Sequence, residues 1–599
     1  MSDLPALPSQ RAALAHILRL GMRFQPALLW VSLAVTVVSA LPDALFAVWL
    51  GLFARALRVP ASPDQTLLVV AGCGLAFSCI GGWVLRAGGD RVQQRFRQRL
   101  AVALETHVAM LQATTAGIEQ HERPEVLDRL ALLRDQVFTL DHVFLSVFGS
   151  LGIVVRLVVV MGVLASVNRA LALLGVAAMP PVVATARRGR VESKVWEASA
   201  SRRRLSRHLL VLGTDAAPAK ELRVAGAVDV VADARARAWA EFIAPLRSVR
   251  IRSGLVQTAG WGVFATAFVV AVALASQGSG PAAAGDTLVV IAAGARLTAY
   301  IGQAAVEVDT WGFFIQGSQR LLWLEELVHR RNADADGTPP SRLRSGITLR
   351  SVSFAYPGSA ELVLDDVELS LPAGAVVAVV GENGAGKSTL VKLLAKMYEP
   401  TAGHILVDGV DLATLDAVRW RARMSGAFQD FVKFELPAQN SVGVGDLPFF
   451  DDRPAVESAV RRAGAADVVD RLPDGLDTQL GPAWPGGVDL SGGQWQKLAL
   501  ARGLVREHPL LVVLDEPTSA LDAETEHALF ERFAEQARTA TDDGRITVLV
   551  SHRFSTVRMA DLVVVLSGNK VAEVGTHHEL VDAGGPYSEL YAIQAAAYR

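Results

Sequence analysis

Six long apolar runs, near residues 27–55, 66–88, 143–167, 170–187, 254–277 and 287–316, decide most of what this chain can fold into. Each is compatible with the ~20 residues that a helix needs to cross a bilayer. Hydrocarbon offers no water to a backbone N–H or C=O, so a run of that length pairs those groups along itself, as a helix. The runs lie almost wholly before residue 320 in a chain of 599 residues that is 51% hydrophobic. A single core seldom grows past ~250–300 residues, so the part after residue 345, which lacks such runs, reads as a separate soluble domain. The fourth run contains Met179, Pro180 and Pro181, where the proline rings and missing N–H groups are expected to kink or break the helix.

Charge bias orients the spans. Segments 88–142 and 187–253 are rich in arginine, including Arg91, Arg95, Arg97, Arg187, Arg188 and Arg202 to Arg204, whereas the short loops hold little more than Arg58 and Arg169. The long segments therefore face the cytoplasm. An even number of spans returns the chain to its starting side, so both termini and the soluble domain are expected in the cytoplasm. The protein is expected in the cytoplasmic (inner) membrane, in contact with the lipid bilayer. Helical patterns continue through the long segments, which predicts spans prolonged beyond the membrane edge in place of structureless loops. Residues 9–23 put Leu14, Ile17 and Leu18 on one helical face, away from Arg11 and Arg19. That pattern suits a helix lying on the inner membrane surface and equally an amphipathic helix packed on protein. No cleavable signal peptide is expected, because the first apolar run is too long and lacks a small-residue cleavage site. Cys73 and Cys79, the only cysteines, fall on different faces of one helix and are expected to stay unbridged. A net charge of −2 gives no pull toward nucleic acid.

The expected partition is a cytoplasmic N-terminus over 1–26, a transmembrane domain over 27–331, a linker over 332–346 and a second, soluble domain over 347–599. The linker, NADADGTPPSRLRSG, is polar and carries Gly and two prolines. Beyond it short β-rich runs alternate with helical stretches, the pattern of an α/β domain with a largely parallel sheet.

Gly381 to Thr389 reads GENGAGKST between an apolar strand pattern and a helical one. The sequence fits G-x-x-x-x-G-K-[ST] in the strand–loop–helix context that this phosphate-binding pattern requires. Gly381, Gly384 and Gly386 allow a tight loop whose N–H groups face phosphate oxygens. Lys387 is expected to reach the β- and γ-phosphates, and the Ser388 hydroxyl to ligate Mg²⁺. Leu510 to Glu516, LLVVLDE, is an apolar strand ending in two carboxylates. Asp515 is placed to hold Mg²⁺ and Glu516 to polarise an attacking water as general base. Leu490 to Gln494, LSGGQ, offers Ser491 and the Gly492 and Gly493 amides to a second phosphate-facing site at a helix start.

With these motifs in hand, the chain resembles an ATP-binding cassette half-transporter of the exporter type over nearly its whole length. GENGAGKST resembles the Walker A motif, LLVVLDE the Walker B motif and LSGGQ the family signature. The resemblance implies a membrane α-helical domain of six transmembrane helices followed by a P-loop α/β nucleotide-binding domain. It also assigns roles. Tyr356 matches the adenine-stacking aromatic, and Asn383, Gly384, Gly386 and Thr389 belong to the ATP cradle. Gln429 matches the glutamine that touches Mg²⁺ and senses the γ-phosphate, and His552 the switch histidine. Ser519 and Asp522 match the D-loop, which communicates across a dimer. The implied cofactors are ATP and Mg²⁺. The implied partner is a second half-transporter, for which a homodimer suffices and a heterodimer is the alternative, with Ser491, Gly492, Gly493 and Gln494 closing the partner's nucleotide site.

By the same analogy residues 117–130 and 214–225 form coupling segments. The stretch before the signature, GPAWPGGVD at 481–489, lacks the glutamate that exporters commonly carry there, so coupling is expected to use other contacts. Arg296, Tyr300, Gln303 and Glu307 recur at helical spacing on the sixth span, which makes a cavity-facing stripe on a substrate path one reading and structural pairing the other. The expected function is ATP-driven export of a small amphipathic molecule or peptide. Import on the same fold and ATP gating of a channel are the alternatives.

Overall fold

The computed structural model describes residues 5–57, 65–119, 122–277, 281–332, 335–516, 544–551 and 557–597. The chain divides into two compact units, one of residues 1–110 and 129–325, the other of residues 111–128 and 326–599.

The first unit is helical. Among the described residues six helices are long and apolar enough to cross a membrane, as the apolar runs predict. A short helix, α1 (Gln10–Phe24), precedes them and buries Ala13, Ile17 and Leu20. The spans are α2 (Pro26–Ala56), then α3 (Gln65–Ala76) continuing through a π-turn into α4 (Gly82–Ala113). After α5 (Pro124–Gln136) come α6 (Val143–Val167), then α7 (Leu173–Ala177) with α8 (Met179–Ala198). Following α9 (Ala200–Thr214) and α10 (Ala216–Val224), the long helices α11 (Val228–Ser276) and α12 (Pro281–Asn332) complete the set. At 49 and 52 residues these two far exceed a bilayer's need, because polar helical sequence carries them on past the apolar part. The fourth span breaks at Ala178, immediately before Met179-Pro180-Pro181. Gly260 of α11 fits against that break: a Cβ there would lie 3.0 Å from the Pro181 nitrogen, so any side chain would make the backbones give way slightly. Cys73 and Cys79 are free thiols.

Among its described residues the second unit carries two sheets. A six-stranded sheet runs in the order β10-β9-β3-β8-β7-β6, formed by β3 (Val376–Gly381), β6 (Met424–Ala427), β7 (Leu511–Asp515), β8 (Ile546–Val550), β9 (Leu562–Ser567) and β10 (Lys570–Gly575). All of its pairs are parallel except β10 with β9. Strands β7 and β8 are buried at every position, which is why they read as continuous apolar runs with no alternation. The second sheet, β2-β1-β4-β5, is antiparallel and comprises β1 (Gly346–Phe354), β2 (Leu364–Pro372), β4 (Ala402–Val407) and β5 (Val410–Asp411). Along β2 buried and exposed residues alternate, the mark of a sheet with one wet face. Val377, Val379 and Leu390 pack with Leu349, Leu369 and Ile405 in one apolar core, so the antiparallel sheet fixes the strand that carries the phosphate-binding loop.

Candidate functional site

The loop after β3 leads straight into α13 (Lys387–Leu394). Gly386 caps that helix at φ +93°, a region costly to any side chain. A Cβ there would also lie 2.8 Å from Leu364 Cδ2 and 3.0 Å from the Val363 carbonyl. The result is a cavity of about 740 Å³ lined by Tyr356, Val363, Asn383, Gly384, Gly386, Lys387, Ser388, Thr389, Gln429 and Glu516. Apart from Val363, every one of these is a residue that the motifs single out. Val363 has no motif to mark it and enters through the pairing of β1 with β2.

Lys387 donates to the Gly381 and Glu382 carbonyls at 2.8 and 2.9 Å. Burial pushes its ammonium down, and Glu516 and Asp515 oppose that shift. Asp515 ends β7 and is 5% exposed, with its Oδ1 buried and without a hydrogen-bond partner. Burial raises its carboxyl; the Ser388 hydrogen bond works against this, while Glu516 and Asp430 add to the rise. A buried, partnerless carboxylate oxygen beside a serine hydroxyl is an oxygen donor set that suits a hard cation such as Mg²⁺. Glu516 sits at φ +44°, sparsely populated for a residue with a Cβ and of the kind that clusters at functional sites. Its Oε2 accepts from Gln429 Nε2 at 3.0 Å. Tyr356 stacks edge-on against Phe354 and Tyr398, and its hydroxyl lies 2.9 Å from Thr389 Oγ1.

The electrostatics carry a stability prediction. The native Asp515 carboxyl holds its proton more tightly than an unfolded aspartate, so its contribution to stability falls as pH rises above 3.8. Asp515→Asn is expected to stabilise the ligand-free chain near neutral pH by about 0.5–2 kcal/mol. Thermal unfolding checks this, and an unchanged or lower midpoint refutes it.

LSGGQ opens the helix α14 (Gly492–Gly503), with Ser491 as N-cap. Ser491 and Gln494 form a reciprocal capping box, Ser491 N donating to Gln494 Oε1 at 2.8 Å and Gln494 N to Ser491 Oγ at 3.3 Å. Each side chain thereby accepts from the other residue's backbone N–H, and the first-turn amides of Gly492 and Gly493, with the Ser491 hydroxyl proton, are the donors left to an anion. A Cβ on Gly492 would meet nothing within 4 Å. The stretch ahead of the signature folds onto Glu435, whose Oε2 accepts from Trp484 Nε1 at 3.2 Å. His552, Ser519 and Asp522 lie outside the described residues.

In the helical unit the sixth-span stripe meets partners from other spans. Arg296 and Tyr300 donate to Asp43 of α2 at 2.5 and 2.8 Å, and Arg156 of α6 donates to Gln303 at 3.3 Å. Tyr300 is buried, whereas Gln303 is exposed. Glu307 stands apart, against Gly149, where a Cβ would come within 2.3 Å of its Oε1. Asp43 and Arg156 come from two other spans, so no spacing within one helix announces the pairing.

The family model for ABC transporters matches residues 364–519. The ATP-dependent lipid A-core flippase of Aromatoleum aromaticum is 36% identical over 55% of this chain and 53% of its own length. The mitochondrial potassium channel ATP-binding subunit of Homo sapiens is 40% identical over 43% of this chain and 34% of its own. The chain thus spans about half or less of the length of these relatives. A solved structure of a bacterial Atm1-family ABC exporter with ATP bound is 25% identical and superposes with a TM-score of 0.72 over 98% of both chains. Six apolar helices, the phosphate loop, the signature helix and this whole-length likeness carry one conclusion: the chain carries an ABC transporter domain over residues 364–519 and has the fold of an ABC exporter.

Proposed function

We propose that the chain is one half of a pump that couples ATP hydrolysis to export of a small amphipathic molecule or peptide across the cytoplasmic membrane. The observation that carries the reading is the cavity around Lys387, Ser388, Gln429 and Glu516. There Lys387 and the loop amides bind phosphates, Ser388 and Asp515 hold Mg²⁺ with Gln429 beside them, and Tyr356 takes the adenine. When bound, Mg²⁺ neutralises charge on the phosphates. Glu516, steadied by Gln429, accepts a proton from the attacking water. Two such chains meet head to tail, so that Gly492 and Gly493 of one close over the phosphates held by the other.

A second reading, ATP gating of a conductance, draws support from the resemblance to the potassium channel subunit. A gate has no need of a base aimed by Gln429, which favours the pump. Inside-out vesicles containing the protein are expected to accumulate a labelled amphipathic substrate with MgATP and not with a non-hydrolysable analogue. Equal accumulation with both nucleotides overturns the pump, and ATP-driven uptake into right-side-out cells overturns the direction.

A further inference from the structure

Residues 111–128, the end of α4, its connection to α5 and the start of α5, fold with the nucleotide-binding domain and not with the rest of those two helices. Several contacts dock this segment without touching the nucleotide cavity. The Ile118 amide donates to the Met397 carbonyl at 3.1 Å, Arg331 pairs with Glu119 at 2.6 Å, and the Arg421 guanidinium donates to the Ala116 carbonyl. Ile118 also packs against the core shared by both sheets.

One further contact leads back to the cavity. Lys392, on α13, places its ammonium 3.8 Å from Glu122 Oε1 and 3.5 Å from the Tyr356 hydroxyl. That hydroxyl is the group bonded to Thr389 of the phosphate loop. Tyr398 borders the same ammonium, its ring centroid 5.8 Å away. The phenol of Tyr356 is therefore where the phosphate loop, the adenine-facing ring and the docked segment meet.

We infer that Lys392 is a positioning residue that reports nucleotide occupancy at Tyr356 to residues 111–128 through Glu122. This rests on the reading of the cavity as an ATP site. A purine settling on the Tyr356 ring shifts its phenol, and the ammonium poised between phenol and carboxylate passes that shift to Glu122. The side chains of Lys392 and Glu122 are 31% and 37% exposed, so the pair contributes little to stability and its loss leaves the docking contacts in place. The link also supplies a route that needs no glutamate ahead of the signature.

The test uses the full chain in lipid nanodiscs, following hydrogen exchange across residues 111–128 with and without AMP-PNP, alongside binding of the same nucleotide. The unaltered chain is expected to bind it and to change exchange in the segment. Lys392→Met and Glu122→Gln should each cut that change by at least half while binding weakens no more than about fivefold. The double variant should do no more than either alone, and Lys392→Arg should keep the response. A full exchange response in Lys392→Met with nucleotide bound overturns the relay, as does an unaltered chain that binds nucleotide without any response. Failure of the unaltered chain to bind nucleotide overturns the ATP site itself and the relay with it.

Discussion

Glu516→Gln is expected to leave ATP binding within about threefold of the unaltered chain and to lower turnover by ~10²–10⁴-fold, the usual contribution of a positioned general base. The substitution is nearly isosteric and keeps an oxygen for the Gln429 amide that now lies 3.0 Å from Oε2, so the cavity wall survives. What disappears is the carboxylate proposed to accept the proton of an attacking water. The left-handed backbone at Glu516 belongs to the fold and not to the charge, and Gln bears it no worse than Glu. ATP hydrolysis by the full chain in nanodiscs, measured beside nucleotide binding, checks both halves. Turnover above a tenth of the unaltered rate would remove Glu516 from the role of base, and lost binding would show that its charge shapes the site.

The parts of this molecule legible in sequence are those where chemistry is local. The phosphate loop needs glycines at set spacings because backbone must approach phosphate, so Gly381, Gly384 and Gly386 are visible without any fold. The parallel strands are equally visible, since burial on both faces leaves continuous apolar runs such as LVVLD at Leu511–Asp515. The antiparallel sheet was not: its strands alternate and its register is irregular between Leu349 and Val352, so no run announces it. Long-range pairing was equally hidden. Helical spacing aligned Arg296 with Tyr300, but only the packing of α2 and α6 brings Asp43 and Arg156 to them. Lys392 carries no motif, and its relation to Glu122 spans 270 residues of sequence.

The proposed composite site gives the other large expected effect. Lys387→Ala should abolish turnover by removing the phosphate-binding ammonium. Gly492→Asp should abolish it by placing a negative charge where the signature amides meet a phosphate, yet the fold tolerates it. Its Cβ has open space, and an acidic side chain in the first turn of α14 complements the helix dipole. In the proposed two-fold dimer each nucleotide would lie between Lys387 of one chain and Gly492 of the other. Pairing a Lys387→Ala chain with a Gly492→Asp chain therefore puts both lesions in one site and leaves the second site intact. Equal co-expression of the two inactive chains is expected to restore about a quarter of the unaltered ATPase, because half of the dimers are mixed and each mixed dimer has one working site. A chain carrying both substitutions, paired with the unaltered chain, puts one lesion in each of the two sites, so these mixed dimers are inactive. Were each site built within a single chain, the first pairing would stay dead and the second would keep one working site per mixed dimer, so the two arrangements give opposite results from the same substitutions.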